Sequence, residues 1–466
     1  MTNAQYLWSV ARGLRTQVRP SVENNSARDA LDNGIRILTT LANALEPGPD
    51  VPPALAADQA SANTDRLGGP PENAAAYRST GAVIAQAAAQ LEKGASTSTL
   101  AEAIRWEKSL LDAALTQIDA VERAAPAHGS ADVSTIDPIR LQAYLRRRPG
   151  CEDVEITAFR LIVGGRSRQT ALFSIAGGTD IPRDMVIQRG IPGQAAGDAF
   201  LSEAVQYQLL EKLAGAGMRV PRPVLVENDP SWLDAAFMLV EQVAGSPVQP
   251  DYWLPAESEQ VVLGLAREMA VLHDQSVETV GVGLRQARER HDVEGWRTEL
   301  EALAERWNSR AHWPSITMSA VISWLRENVD CMDDRRAIVH NDMVFHNILA
   351  QDDQITAVLD WEQCAIGHPG EDLGYCYPVV IAVTDWSKFM DAYRAAGGAD
   401  IPQRQIDFFA LRAGLRLMNL VVGGGRDSFE GGLSDDILVA SAGAHFTQRL
   451  MHRIAFVLDS ILARQS

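Results

Sequence analysis

The sequence predicts an α+β chain in which a small β-rich unit precedes a larger helical one, with an all-helical region ahead of both. Three observations predict it. Apolar residues recur at helical spacing through most of the first 125 residues, and β-branched runs broken by glycine occupy the stretch from about Val154 to Gly245. After Pro255 helical spacing returns, interrupted only by the short strand signals RAIVH and ITAVLD. At 466 residues the chain exceeds one ordinary hydrophobic core, so two or three units are expected.

In chain order, Leu7, Val10, Leu14 and Val18, then Leu31, Ile35, Leu38, Ala42 and Leu45, describe two amphipathic helices. Pro47, Pro49, Pro52 and Pro53 stop the pattern, and an Ala/Asn/Pro/Gly-rich loop runs to about Ala75. Helical spacing resumes at 77–91 and 100–121. Residues 1–125 therefore read as a helical accessory unit without chemistry, with homodimerisation through its helices as one use, and 126–150 as a linker. A β-rich lobe over 151–245 follows, with strands in EITAFRLI, TALFSIAGG and DMVIQRG, a helix in LSEAVQYQLLEKL and a strand in AAFMLVEQV. The remaining 246–466 form the helical lobe.

A formal charge of −18 argues against nucleic-acid or anionic-membrane partners, because phosphate backbones and acidic headgroups are repelled by such a field. Four scattered cysteines without a CxxC pair suggest reduced thiols rather than a disulfide framework or a zinc site. The N-terminus lacks a continuous apolar signal core, and no run approaches the roughly 18 apolar residues of a membrane helix. A soluble cytoplasmic protein is expected.

The segment AIVHNDMVFHNILAQDDQITAVLDWE carries the chemistry. A short apolar strand delivers His340 and Asp342, Asn347 follows five positions later, and a second apolar strand ends on Asp360. Phosphoryl transfer needs a carboxylate near the attacking hydroxyl, oxygen ligands for magnesium and positive charge on the triphosphate. Asp342 would orient the acceptor hydroxyl and accept its proton, while Asn347 and Asp360 would supply hard oxygen ligands to Mg2+. Glu362 either reaches the same metal or pairs with a neighbouring base. His340, grouped with Asp342 in the catalytic loop, reads as a residue that shapes the loop rather than as an acid or base. The same order of residues occurs in the protein-kinase catalytic loop and its metal-binding aspartate.

HNDMVFHNIL followed by AVLDWEQCAIGHPGEDLGY resembles the aminoglycoside phosphotransferase superfamily, most closely the kinase-like domains associated with acyl-CoA dehydrogenases. The resemblance extends through LIVGGRSRQT, VPRPVLV, FMLVEQVAGSPV, AREMAVLHDQSVETVGVGL, WLRENV and LRAGLRLMNLVVGGGR. It implies a two-lobed protein-kinase-like fold, with a small β-rich N-lobe and a larger helical C-lobe, and Asp372 as the structural aspartate. It also implies ATP and Mg2+ as cofactors. Gly164 and Gly165, with Ser167 and Thr170 close by, would let backbone approach the phosphates. Glu203 would pair with a phosphate-binding cation, and backbone near Glu241 and Val243 would meet the adenine.

One position departs from the family. Where a Lys or Arg follows two residues after the strand valine, this chain has Gln188 after Val186. Arg189 is adjacent, but strand alternation turns it to the opposite face unless a bulge intervenes. The reading is a small-molecule kinase moving the γ-phosphate of MgATP to an acceptor hydroxyl. A hydroxyacyl or other catabolic alcohol is the first acceptor class and an aminoglycoside-type antibiotic the second. The alternative, suggested by Gln188, is a catalytically weak nucleotide-binding module acting through a partner protein.

Overall fold

A computed structural model describes residues 136–162, 168–190, 200–248, 256–284, 292–310, 315–420 and 437–465, the helical run 101–109, and isolated positions elsewhere in the first 125. The expected helices at 7–18, 31–45 and 77–91 lie outside these residues, isolated positions aside. The chain divides into two compact units: 132–292 with 333–406, and 1–131 with 293–332 and 407–466.

The first of these units begins with α1 (Pro138–Leu145), where Pro138 opens the helix and the Asp137 side chain accepts from Ile139 N at 2.8 Å. This helix occupies part of the stretch read as a linker. Its Leu141, Tyr144 and Leu145 are buried with Phe173, Ile175, Met185, Ile187, Phe237 and Leu239, so it belongs to the core of the β-rich lobe. Tyr144 sets its ring edge-on to Trp232 and Phe237, each at 5.1 Å.

That core lies on one face of a five-stranded antiparallel sheet, in the order β1 (Glu155–Ile162), β2 (Arg168–Ala176), β3 (Asp184–Gly190), β5 (Phe237–Glu241), β4 (Pro223–Glu227). Alternation puts Ala171, Phe173 and Ile175 of β2 and Met185 and Ile187 of β3 on the core side. Arg168, Thr170 and Leu172, with Val186 and Gln188, point the other way. The β2/β3 register sets Thr170 opposite Gln188 and Arg168 opposite Gly190. Helix α2 (Glu203–Gly215) follows β3, started by Ser202, whose side chain accepts from Val205 N at 3.4 Å.

Beyond the sheet, β6 (Ser246–Pro247), β8 (Ile348–Gln351) and β9 (Gln354–Val358) form a three-stranded sheet in the order β6-β8-β9. Gly245, at φ +124°, brings the chain so close to β8 and β9 that a Cβ there would lie 2.6 Å from Thr356 Oγ1 and 3.0 Å from the Ala350 carbonyl oxygen. Strands β7 (Ala337–Val339) and β10 (Ala365–Gly367) pair antiparallel. Helix α3 (Glu259–His273), capped by Ser258, packs on β7, β9 and α7 (Trp386–Ala395), and α6 (Gly370–Val380) follows β10.

The other unit gathers α4 (Val293–Arg310), α5 (Ile316–Asn328), α8 (Gln403–Met418) from residue 407, α9 (Ile437–Gln465) and the run 101–109. Its core includes Trp296, edge-on to Phe409 at 5.1 Å, and an Arg412–Glu299 ion pair. The run 101–109 buries Ala103, Ile104, Trp106 and Glu107 within the chain, and the Glu107 carboxylate accepts from Ile316 N at 3.2 Å and Thr317 N at 2.6 Å at the start of α5. The buried face of the run 101–109 is thus taken up internally and is not left for a second copy of the chain. The two units interleave along the sequence, because apolar helix faces far apart in the chain pack together. The expected partition at 125, 150 and 245 is contiguous by comparison.

Candidate active site

The catalytic-loop sequence folds as strand β7, a loop, a 3-10 turn at Phe345–Asn347, the β8/β9 hairpin and a second 3-10 turn at Trp361–Gln363. Buried Ile338, Val339, Ile348, Ala357 and Val358 anchor the strands and leave the polar residues at their ends. Two of those residues stand in the left-handed region: Asn341 at φ 66° and Asp360 at φ 62°. Non-glycine residues are rarely held so, and they concentrate at functional loops.

Asp372, fully buried on the first turn of α6, secures the loop. Its Oδ1 accepts from Asn341 N at 2.7 Å and its Oδ2 from His340 N at 2.8 Å. His273 at the end of α3 donates Nε2–H to the same Oδ2 at 3.1 Å, and its Nδ1 lies 2.9 Å from the Tyr393 hydroxyl. The His340 ring is buried beside Trp361. Its Nε2–H donates to the Leu359 carbonyl at 2.9 Å, and its Nδ1 accepts from Asp342 N at 3.3 Å. Burial lowers its pKa, which keeps the ring neutral in this one-donor, one-acceptor role. His340 therefore ties the loop carrying Asp342 to the strand end carrying Asp360.

Asp342 Oδ1 accepts from the Tyr375 hydroxyl at 2.6 Å, and Oδ2 accepts from Asn347 Nδ2 at 3.1 Å, with His346 Nε2 3.7 Å away. Burial alone would raise the Asp342 carboxyl, but His346 and the hydrogen bond from the Tyr375 hydroxyl outweigh it and hold the pKa below the ordinary value. Asn347 also gives Nδ2 to the Asp342 backbone carbonyl at 2.9 Å. With both amide hydrogens aimed at acceptor-only oxygens, the Asn347 carbonyl oxygen faces the remaining direction. Asp360 has its pKa raised to about 7, first by burial, then by the charges of Glu362 and Asp342 and against the pull of Arg168.

Glu362 is buried, with Oε2 3.4 Å from Arg168 Nη1, and its backbone carbonyl accepts from Leu201 N at 2.7 Å. Of the two uses the sequence left open, the structure contains the pairing with a base. Among the described residues no three His, Cys, Asp or Glu side chains form a preformed metal cage. Asn347 and Asp360 nonetheless suit Mg2+, which is ordinarily held by one or two carboxylates together with water and substrate phosphates. A divalent ion would also offset the crowding of carboxylates that raises Asp360.

In the β-rich lobe, Gly164, Gly165 and Ser167 lie outside the described residues. Arg189 corrects an expectation. The β3 register runs unbroken from 184 to 190, so no bulge turns Arg189 to the face of Gln188. It is 1% exposed, donates Nη1–H to the Leu233 carbonyl at 2.8 Å and bonds Gln169 through Nη2 on the core side. Gln188 is partly buried on the opposite face, beside Thr170. Glu241 ends β5 with its N–H bonded to the Arg222 carbonyl at 2.9 Å, and Val243 follows two residues later.

Residues 160–406, just over half of the chain, match the model of the phosphotransferase enzyme family APH. The chain belongs to this family. Among curated relatives, acyl-CoA dehydrogenase family member 11 of Gallus gallus is 31% identical over 178 residues, 36% of this chain and 22% of the relative. The Homo sapiens protein of the same name is 27% identical over 179 residues, again 36% of this chain and 22% of the relative. The chain thus spans about a fifth of the length of these relatives. Among solved structures, a macrolide 2'-phosphotransferase type I has a TM-score of 0.50 at 16% identity, over 68% of this chain and 98% of that one. The likeness shows the family's kinase-like fold, an α+β arrangement.

Three residues at this family member's site escaped the sequence reading. Tyr375, three positions after Asp372, lies on the same face of α6, a spacing visible in GEDLGY. His346 sits one residue before Asn347. Arg168 opens β2, two residues before Thr170, so alternation puts the two on one face, and the β2/β3 register, which sets Thr170 opposite Gln188, makes it the face of Gln188.

Proposed function

We propose that this chain is a small-molecule kinase that moves the γ-phosphate of MgATP to a hydroxyl group. The observation that carries the reading is the placement of Asp342, Asn347 and Asp360 in one unit, with Asp342 charged and Asn347 bonded to it. Asp342 receives the acceptor hydroxyl as hydrogen-bond donor, orients its oxygen toward the phosphorus and takes up its proton as transfer proceeds. Tyr375 and Asn347 hold the carboxylate in one orientation, which limits the reorganisation the step needs. Asn347 and Asp360 would hold Mg2+, whose chemistry is to neutralise charge on the triphosphate. Backbone groups near Glu241 and Val243 would receive the adenine, and the glycine turn at Gly164 and Gly165 would cover the phosphates.

The names of the curated relatives favour a hydroxylated acyl group as acceptor over an antibiotic. We place the enzyme in the cytoplasm, as a protein without a nucleic-acid or membrane partner; no helix among the described residues is long and apolar enough to cross a membrane. The test is incubation with MgATP and a series of hydroxyacyl-CoA and free hydroxy-acid acceptors, read by phosphorus NMR and mass spectrometry. A phosphomonoester formed together with ADP is expected, with Asp342→Asn slower by about 10²–10⁴-fold. ATP binding without a phosphorylated product from any alcohol would favour the second reading, a weak nucleotide-binding module, for which Gln188 is the supporting observation.

A further inference from the structure

Gln188 leaves β3 without the cation that a triphosphate requires, yet Glu203, the acidic residue on the following helix, is not solvated. It is buried and paired with Arg168, whose Nε lies 3.1 Å from Glu203 Oε1. Arg168 Nη1 lies 3.4 Å from Glu362 Oε2, and Nη2 donates to the Leu201 carbonyl at 2.6 Å. The guanidinium is thus fixed from three sides, with its side chain 10% exposed.

We propose that Arg168 is the cation that binds the nucleotide phosphates, acting from β2 in place of the residue Gln188 fails to supply on β3. The register makes this possible. Arg168 stands opposite Gly190 and on the same sheet face as Thr170 and Gln188, so its side chain reaches the Glu203 that a cation on β3 would otherwise meet. Gly190 lies beside the same carboxylate: a Cβ there would be in ordinary contact with Glu203 Oε1, at 3.7 Å.

Other basic residues of this lobe are committed elsewhere, among them Arg146 to the Val154 carbonyl, Arg147 over the Trp232 ring and Arg219 to Glu268. Arg189 is buried on the core side, Arg140 pairs with Asp234, and Lys212 reaches the Val280 and Val282 carbonyls from the far end of α2. Among the described residues only Arg168 is held between Glu203 and Glu362, two residues beyond Asp360. Its three named contacts use one hydrogen on each nitrogen, so a second N–H on each terminal nitrogen remains for phosphate oxygens, the forked geometry that suits them.

This inference rests on the nucleotide-using reading, and calorimetry on the full chain separates the two. ATP with Mg2+, and adenosine, are titrated into the wild type, Arg168→Gln and the double variant Arg168→Gln/Glu203→Gln. The double variant replaces Arg168 and Glu203 together by neutral amides, so Glu203 is not left as a buried carboxylate without its cation, while Glu362 keeps its charge in both variants. In both variants ATP affinity is expected to fall at least tenfold while adenosine affinity stays at the wild-type value. Unchanged ATP affinity in a folded variant overturns the proposal, as does an equal loss for ATP and adenosine, which marks a structural role. A wild type that binds neither ATP nor GTP overturns the nucleotide reading and this proposal with it.

Discussion

Asp372 never faces the reacting groups in this account, yet two backbone N–H groups of the catalytic loop end on its carboxylate, one of them from Asn341 in the left-handed region. Hydrogen bonds to a charged acceptor are worth about 1.5–3 kcal/mol each. In Asp372→Asn the amide oxygen can keep one of these bonds, while its NH2 confronts the other N–H. The variant should lose about 2 kcal/mol in urea unfolding, together with catalytic rate. An unchanged midpoint would show that the loop holds its shape without the carboxylate. Asp342, Asn347 and Asp360 were legible as residues because their spacing around two apolar strands is distinctive, and Asp372 through the family resemblance carried by GHPGEDL. Arg168 was not, since its role depends on which residue lies across the sheet, and that register is absent from a linear motif. Arg189 failed for the same reason in reverse: nearest in sequence to the missing cation, it is turned away by alternation.

At the scale of elements, the β-rich lobe was readable from β-branched runs and glycine punctuation, and all of its long strands appear. Helix α1 was missed, although Asp137 and Pro138 are a start signal, because its eight residues are too few to stand out by periodicity beside Pro126, Gly129 and Ser130. Gly245 marks a contact between elements that no pattern displays. Gly245→Ala sets a methyl against Thr356 Oγ1 and the Ala350 carbonyl at a φ of +124°. A loss of about 1–3 kcal/mol is expected from backbone strain alone, seen as a lower thermal midpoint. Unaltered stability would mean that β6 shifts off β8 at no cost.

For the molecule as a whole, helical spacing after Pro255 announced helices but not which of them share a core. The unit that contains 101–109 also draws on 293–332 and 407–466, and Glu107 is one of the residues that join these stretches. Burial raises the Glu107 pKa above the ordinary glutamate range, despite hydrogen bonds from Thr317 and Ile316 that favour the charged form. The folded state therefore holds this proton more tightly than the unfolded chain does. The stabilisation is fully present below the unfolded pKa and is lost as pH rises through the folded one. Glu107→Gln, which cannot ionise, should gain stability relative to wild type as pH is raised across that window. A difference in thermal midpoint that stays constant with pH would contradict the assignment.

Asp342, Asn347 and Asp360 are proposed to form a magnesium-dependent nucleotide site, for which the decisive measurement is calorimetric titration with ATP, with and without Mg2+, in wild type and Asp360→Ala. ATP binding that Mg2+ strengthens is expected in the wild type, with that strengthening lost in Asp360→Ala. Failure of the wild type to bind ATP or GTP with Mg2+ present would contradict it, as would a magnesium effect that survives the Asp360→Ala substitution.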